Sequence, residues 1–269
     1  MNAAEITDWD DAYANAAHIP GAADYPPRWT QEAETFRKTW IEKDLGIVYG
    51  DTDRQRMDIF HPEGVSKGLV VFVHGGYWLR FDKSYWSHFA SGCLGRNWSV
   101  CLPSYDLAPD VRIADITRQI GRCISRAAER ISGPIRLTGH SAGGHLVTRM
   151  MSEDTPLMPE VLNRIEKVVS ISGLHDLRPL RNTRMNDTFK MSEEDAVAES
   201  PALKKPAGPC PVVAWVGGAE RPEFIRQSRL LAEAWPNAGF HEDQGRHHFD
   251  VIDGLKDPDS ELTSTLLAP

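Results

Sequence analysis

Apolar runs and amphipathic stretches alternate along most of this chain. Gly68 to Val73 reads GLVVFV, an unbroken apolar run of the kind that a strand buried on both faces requires. Ser99 to Leu102, Ile135 to Thr138, Val168 to Ser172 and Val212 to Val216 are further strand candidates. Leu45 to Tyr49 and Arg56 to Phe60 precede them, separated by the turn residues Gly50-Asp51-Thr52-Asp53, and predict an antiparallel pair. Between the runs lie helical patterns. Ile113, Ile116, Ile120, Ile124, Ala127 and Ile131 recur at three- and four-residue steps, which places them on one helix face. A second helix is expected from Pro222, a favoured first-turn residue, with Phe224, Leu231 and Trp235 on about one face. Strand–helix alternation predicts a mostly parallel central sheet with helices on both faces, whose chemistry sits at the carboxyl ends of its strands.

Two segments break the rhythm. Residues 1–40 are rich in Trp, Tyr, Asp and Ala, with Pro26-Pro27 read as a break and a helix expected from Glu32 to Trp40; the segment is expected to form an arm or part of a lid. Asp176 to Pro209 is long and polar and reads as an insertion over the site, a second lid element. At 269 residues the whole is expected to be one domain, since α/β folds of this size often are.

Composition narrows the function. With 41% hydrophobic and 25% charged residues the chain is ordinary globular material. A net charge of -8 and the lack of a Lys/Arg block argue against nucleic acid and anionic membranes as partners. The start, MNAAEITDWDDAY, lacks the basic and apolar regions of a signal peptide, and no apolar stretch approaches membrane-spanning length; a cytoplasmic protein is the default expectation. Cys93, Cys101, Cys123 and Cys210 are scattered, with no C-x-x-C, and read as small buried apolar residues.

Four segments carry chemistry. Gly139-His140-Ser141-Ala142-Gly143 fits G-x-S-x-G between the strand IRLT and the helical start HLVTRMM, the context that a nucleophile elbow demands. Flanking glycines let neighbouring backbone come close, and the Ser141 hydroxyl would stand at a helix N-terminus. His74-Gly75-Gly76-Tyr77-Trp78 follows the GLVVFV strand directly, where a Gly-rich loop can aim amide N–H groups at a developing oxyanion. The expected donors are Gly76, Tyr77 and Ala142, with His74 bracing the loop. The acid of a Ser–acid–His order should follow the VVAWV strand. Glu220 lies in that loop and is chosen; Glu223 lies inside the next helix, where its dipole already explains a carboxylate. The base must come late, from His247 or His248. No H-E-x-x-H and no cluster at metal-ligand spacing is visible, so neither metal nor cofactor is expected.

Taken together, HGGYW at 74–78, YDLAP at 105–109, GHSAGGHL at 139–146, ISGLHDL at 171–177, Pro222-Glu223-Phe224 with Gln227-Ser228, and His248-Phe249-Asp250 resemble the kynurenine formamidase (arylformamidase) branch of the α/β-hydrolases, near the hormone-sensitive-lipase-like esterases. The resemblance implies an α/β-hydrolase fold and hydrolysis of an N-formyl aryl amine. It implies His248 as base, the residue before Phe249 opening the final helix of that family. It places the acid at Glu220, where that branch usually carries Asp. Trp78, Trp215 and Phe249, near Tyr77, are candidates for an aryl pocket. The expected partner is a small-molecule substrate, with a homodimer also compatible. A broad carboxylesterase for short acyl esters would use the same machinery, and a non-catalytic binding protein of this fold would normally have lost a triad member.

Overall fold

The computed structural model describes residues 6–269, so the first five residues of the expected arm lie outside it. Eight strands form one sheet: β1 (Lys43–Val48), β2 (Arg56–Phe60), β3 (Leu69–Val73), β4 (Ser99–Pro103), β5 (Ile135–His140), β6 (Ile165–Ile171), β7 (Val212–Gly217) and β8 (Ala238–Asp243). Their order across the sheet is β1-β2-β4-β3-β5-β6-β7-β8. The first two join antiparallel, and all pairs from β4–β3 to β7–β8 are parallel.

Alternation along each strand divides the interior in two. Leu69, Val71 and Val73 of β3 pack with the helices Ile113–Arg130, Ala142–Arg149 and Pro222–Ala234 on one face. Val70 and Phe72 pack with Trp29, Phe89, Leu94 and Leu266 on the other. Both faces are therefore covered, which is why β3, β4 and β5 are buried at every position and β3 is apolar throughout.

Five of the differences from the sequence reading have physical causes. The helix expected from Glu32 begins at Tyr25, because Pro26 and Pro27 sit in its first turn, where a missing N–H costs nothing; they open the helix instead of breaking the chain. The strand β8 escaped notice because AGFHED is a half-buried edge strand without an apolar run. The segment 176–209 is not a loose insertion. Leu177, Leu180, Phe189, Met191 and Ala196 are buried in the first core, and short helices at Asn186–Phe189 and Glu193–Ala198 carry them there. After His248 the chain runs through turns and a short 3-10 segment, Asp253–Lys256, and the last α-helix is Glu261–Leu267 instead of opening at His248. Among the cysteines, Cys210 is only half-buried. Among the described residues no helix is long and apolar enough to cross a membrane.

The closest approach of a glycine to other backbone among the described residues lies where the helix Ala142–Arg149 meets β3. A Cβ added at Gly143 would stand 1.9 Å from the carbonyl oxygen of Val73. Gly143→Ala is therefore expected to cost at least about 3 kcal/mol, the upper range of overpacking, because backbone cannot step aside as a side chain can. Urea unfolding measures this. Gly239→Ala on β8, with nothing within 4 Å of the new methyl, is the control and should leave the midpoint almost unmoved; equal midpoints for the two variants would refute the crowding.

Candidate active site

The loops after β3, β5, β7 and β8 converge at one end of the sheet. After β5 the chain reverses at Ser141, which has φ 55 and ψ -117, a conformation that non-glycine residues avoid. The turn is held by Ser141 N–H donating to Ile171 O at 2.8 Å and by His145 N–H donating to Ser141 O at 3.1 Å. Gly139 and Gly143 give the room for it, since a Cβ on Gly139 would lie 2.3 Å from Gly143 O. Ser141 becomes the N-cap of the helix Ala142–Arg149, with 3% of its surface exposed. The Ala142 amide, first in that helix, has no intrahelical acceptor.

The loop after β3 lies against this turn. A Cβ on Gly75 would approach Ser141 Cβ to 3.0 Å and His140 O to 2.8 Å. Gly76, Tyr77 and Trp78 then have φ values of 106, 53 and 56, three successive residues in the left-handed half of the map. The amides of Gly76 and Tyr77 donate to no acceptor among the described residues. His74 does brace the loop: its Nδ1–H donates to Gly75 O at 2.7 Å, and its ring stacks on Tyr105 at 4.3 Å.

Glu220 follows β7 in the loop, and His248 follows β8. Glu220 Oε2 accepts from His248 Nδ1 at 2.6 Å. Its other oxygen accepts from the Ser172 hydroxyl at 2.5 Å and from the Gly217 amide at 2.9 Å. The Glu220 side chain is fully buried and that of His248 is 5% exposed. A carboxylate only accepts, so Nδ1 carries the proton and Nε2 is left as a bare acceptor. His140, one residue before the serine, fixes the other side of the base. Its Nε2–H donates to the His248 carbonyl at 2.8 Å, and the two rings lie 4.6 Å apart. Burial, with His248 adjacent, holds His140 neutral, well below the usual imidazole pKa. No hydrogen bond joins Ser141 Oγ to His248 Nε2 among the described residues. In ligand-free sites such contacts are often long and tighten with substrate.

The remaining candidates fall elsewhere. Glu223 accepts from Tyr13 OH at 2.7 Å and pairs with Arg226 at 2.7 Å, so its carboxylate serves the arm. His247 turns outward to Tyr25 OH, 3.0 Å away. Trp78 is fully buried against His145 and Phe189, and Trp215 is buried on the opposite face with its ring 3.6 Å from that of His241. Both are core residues, because their strand and loop positions point them into the packing instead of toward the site. Phe249 packs on Tyr25 and Trp29, each 5.4 Å away, and seats the arm.

The arm is the roof of the site. Tyr77 OH donates to Tyr13 O at 2.7 Å. Asp10 accepts two bonds from Arg184 at 2.8 Å, and Asp11 pairs with Arg221 and, at 2.7 Å, with His18. Under it a cavity of about 110 Å³ is lined by Asn15, His18, Arg221, His247 and His248, among others. A larger groove of about 520 Å³ beside Tyr49, Arg122 and Pro156 lies among residues with no part in this cluster. Sequence reading missed His140, Ser172 and Asn15 as parts of the site. The first two stand at strand ends inside quoted motifs, a position that could have flagged them; nothing marked Asn15.

The family model described as "Alpha/beta hydrolase family" matches residues 70–265. A kynurenine formamidase of Danio rerio is 30% identical, covering 88% of this chain and 84% of its own. That of Salmo salar is 31% identical over 83% and 80% respectively. A solved Silicibacter protein, described as a candidate thioesterase, is 51% identical with a TM-score of 0.95, covering 97% of this chain and 99% of its own.

Buried neutral histidines, some at the site and others elsewhere in the interior, give the protein's stability a pH signature. Burial lowers His74 to about 4 and His88, His145 and His175 to about 3, and holds His140 well below its ordinary value. An unfolded histidine titrates near 6.5. Between the two values the unfolded chain binds more protons, so this stability is complete above about pH 6.5 and is lost as pH falls toward 4 and 3. The thermal midpoint should drop from pH 7 to pH 5, with net proton uptake on unfolding in calorimetry at pH 5.5; a flat midpoint without uptake would contradict the assignment.

Proposed function

The chain belongs to the α/β-hydrolase family and groups with the kynurenine formamidases, and from that premise we propose that it is a serine hydrolase that removes a formyl group from an aryl amine such as N-formylkynurenine. The observation that carries this reading is the buried 2.6 Å bond from His248 to Glu220, which leaves Nε2 ready to take a proton beside the elbow.

The steps follow from the geometry. His248 Nε2 accepts the Ser141 hydroxyl proton as Oγ attacks the formyl carbon. The oxyanion that forms accepts from the amides of Gly76 and Tyr77, set by their positive φ, and from that of Ala142 at the start of its helix. Glu220, held by Ser172 and Gly217, stabilises the imidazolium. The tetrahedral adduct collapses, the C–N bond breaks, and the amine leaves with the proton from His248. Water, with His248 again as base, then releases formate from Ser141. The loop's Tyr77 stands where broader esterases usually carry a third glycine, and its buried side chain holds the arm down over the site. That closed roof suits an acyl group as small as formyl. Each step is carried by protein groups, with no metal or cofactor.

A second reading, hydrolysis of an activated ester or thioester, is favoured by the 51% identical Silicibacter protein and uses the same residues. A side-by-side assay of N-formylkynurenine, short aryl esters and short acyl thioesters separates the two: higher kcat/KM on the formamide supports the first, and its absence with strong thioester turnover rejects it.

Ser141→Ala should lower kcat on the order of 10⁵-fold while leaving the fold intact, and Glu220→Ala by about 10³–10⁴-fold. Glu223→Ala should cost less than Glu220→Ala, and the reverse order would reassign the acid. Dialysis against a strong chelator should leave kcat unchanged; a loss restored by zinc would overturn the metal-free mechanism.

A further inference from the structure

The three left-handed residues of the loop after β3 are not held in the same way. Gly76 takes its φ of 106 freely, having no Cβ to clash. Trp78 is fully buried against His145 and Phe189, and its carbonyl accepts from the Ala108 amide at 2.9 Å. Tyr77, at φ 53, carries the steric penalty of a side chain, and neither its amide nor its carbonyl pairs with another backbone group among the described residues. What holds it is the far end of its side chain, where the phenol donates to Tyr13 O of the arm at 2.7 Å.

Tyr13 is itself firmly placed. It closes the short helix Trp9–Ala12, is 2% exposed, and its carbonyl also accepts from the Asn15 amide at 3.0 Å. Its phenol donates to Glu223 at 2.7 Å and accepts from Gln227 Nε2 at 3.2 Å. Its ring meets that of Phe224 edge-on at 6.0 Å, and Phe224 lies 4.5 Å from the ring of His248. Glu223 and Gln227 belong to the helix Pro222–Ala234, so one residue of the arm joins that helix to the strained loop. A strained backbone persists only where its surroundings impose it, and for Tyr77 the arm supplies that imposition.

We propose that Tyr13 is a positioning residue for the oxyanion loop. With the arm closed, it keeps Tyr77 in the left-handed conformation that presents the amides of residues 76 and 77; with the arm lifted, that conformation relaxes. Closing the arm therefore completes the donors as well as covering the substrate. The proposal rests on the hydrolase reading above and names how that same site is switched on.

The test is a double-mutant cycle between residues 13 and 77. Tyr77→Phe removes the hydroxyl and keeps the steric penalty, whereas Tyr77→Gly removes both. On the best substrate of the wild type, kcat should fall about tenfold in Tyr77→Phe, the weight of one hydrogen bond, with KM within about twofold. Tyr77→Gly should stand above Tyr77→Phe. Tyr13→Phe frees the arm from Glu223, and should lower kcat about fivefold when residue 77 is tyrosine and less than about twofold when it is glycine. A Tyr13 that only stabilises the fold would lower the thermal midpoint alike in both backgrounds without this difference in kcat. Equal losses of kcat in both, no loss in either, or Tyr77→Gly below Tyr77→Phe overturns the coupling. Hydrogen exchange reads it without turnover. The Leu79 and Ala108 amides donate to Gly76 O and Trp78 O, so they should exchange severalfold faster in Tyr13→Phe, and only with Tyr77 present. If the wild type hydrolyses no formamide, ester or thioester, the hydrolase reading falls and the exchange rates alone decide the coupling; rates that do not change overturn it.

Discussion

The site depends on one steric constraint: strand, turn and helix meet at Ser141 with no space for side chains between them. A methyl at Gly143 would overlap the Val73 carbonyl, and one at Gly139 would overlap Gly143 itself. Because these gaps are closed, the helix Ala142–Arg149 cannot relax away from β3, and the serine has no alternative to its positive φ. The same contact brings the loop after β3 against the serine, so one packing decision sets both the hydroxyl and the amides that face it. Strain of roughly 1–3 kcal/mol at such a residue persists only where its surroundings over-determine it, and here they do.

On that rigid base the titratable groups are arranged by hydrogen bonds of fixed direction. Each partner of His248 removes one freedom. Glu220 decides which nitrogen holds the proton, and His140 holds the backbone carbonyl. The arm completes the enclosure by different means. It is held by Tyr13 and Trp29 packed into the two cores, by phenol contacts, Tyr13 with Glu223 and Tyr77 with the Tyr13 carbonyl, and by ion pairs at its rim, Asp10 with Arg184 and Asp11 with Arg221. Exposed ion pairs are weak and screened by salt, so the buried aromatics hold the roof more than its rim does.

The sequence was most legible where a single physical rule dominates. Two-sided burial made β3 visible as an apolar run, and the helix Ile113–Arg130 showed its face at regular steps. The elbow and the Gly-Gly loop were legible because only glycine fits there. Loop position was all that separated Glu220 from Glu223 in the sequence; in space the first bonds to His248 and the second to Tyr13 of the arm. What could not be read depends on long-range packing. β8 is polar and half-buried, Trp78 and Trp215 look like pocket aromatics until their surroundings are known, and the 176–209 segment hides its core residues among charges. Asn15 belongs to a stretch with no period at all.

Glu220 is anchored at both oxygens, by His248 on one side and by Ser172 and Gly217 on the other. An aspartate in its place would be one methylene shorter and could not span the same three donors from the same Cα. The histidine bond could survive only by abandoning Ser172, whose hydroxyl would then be stranded in the interior. The two positions are thus coupled, and an exchange between the longer and shorter acid in this lineage would have to travel with a compensating change at 172 or a shift of the β7 loop. The length of the side chain at 220 is in this sense set by the whole clamp and not by its histidine partner alone.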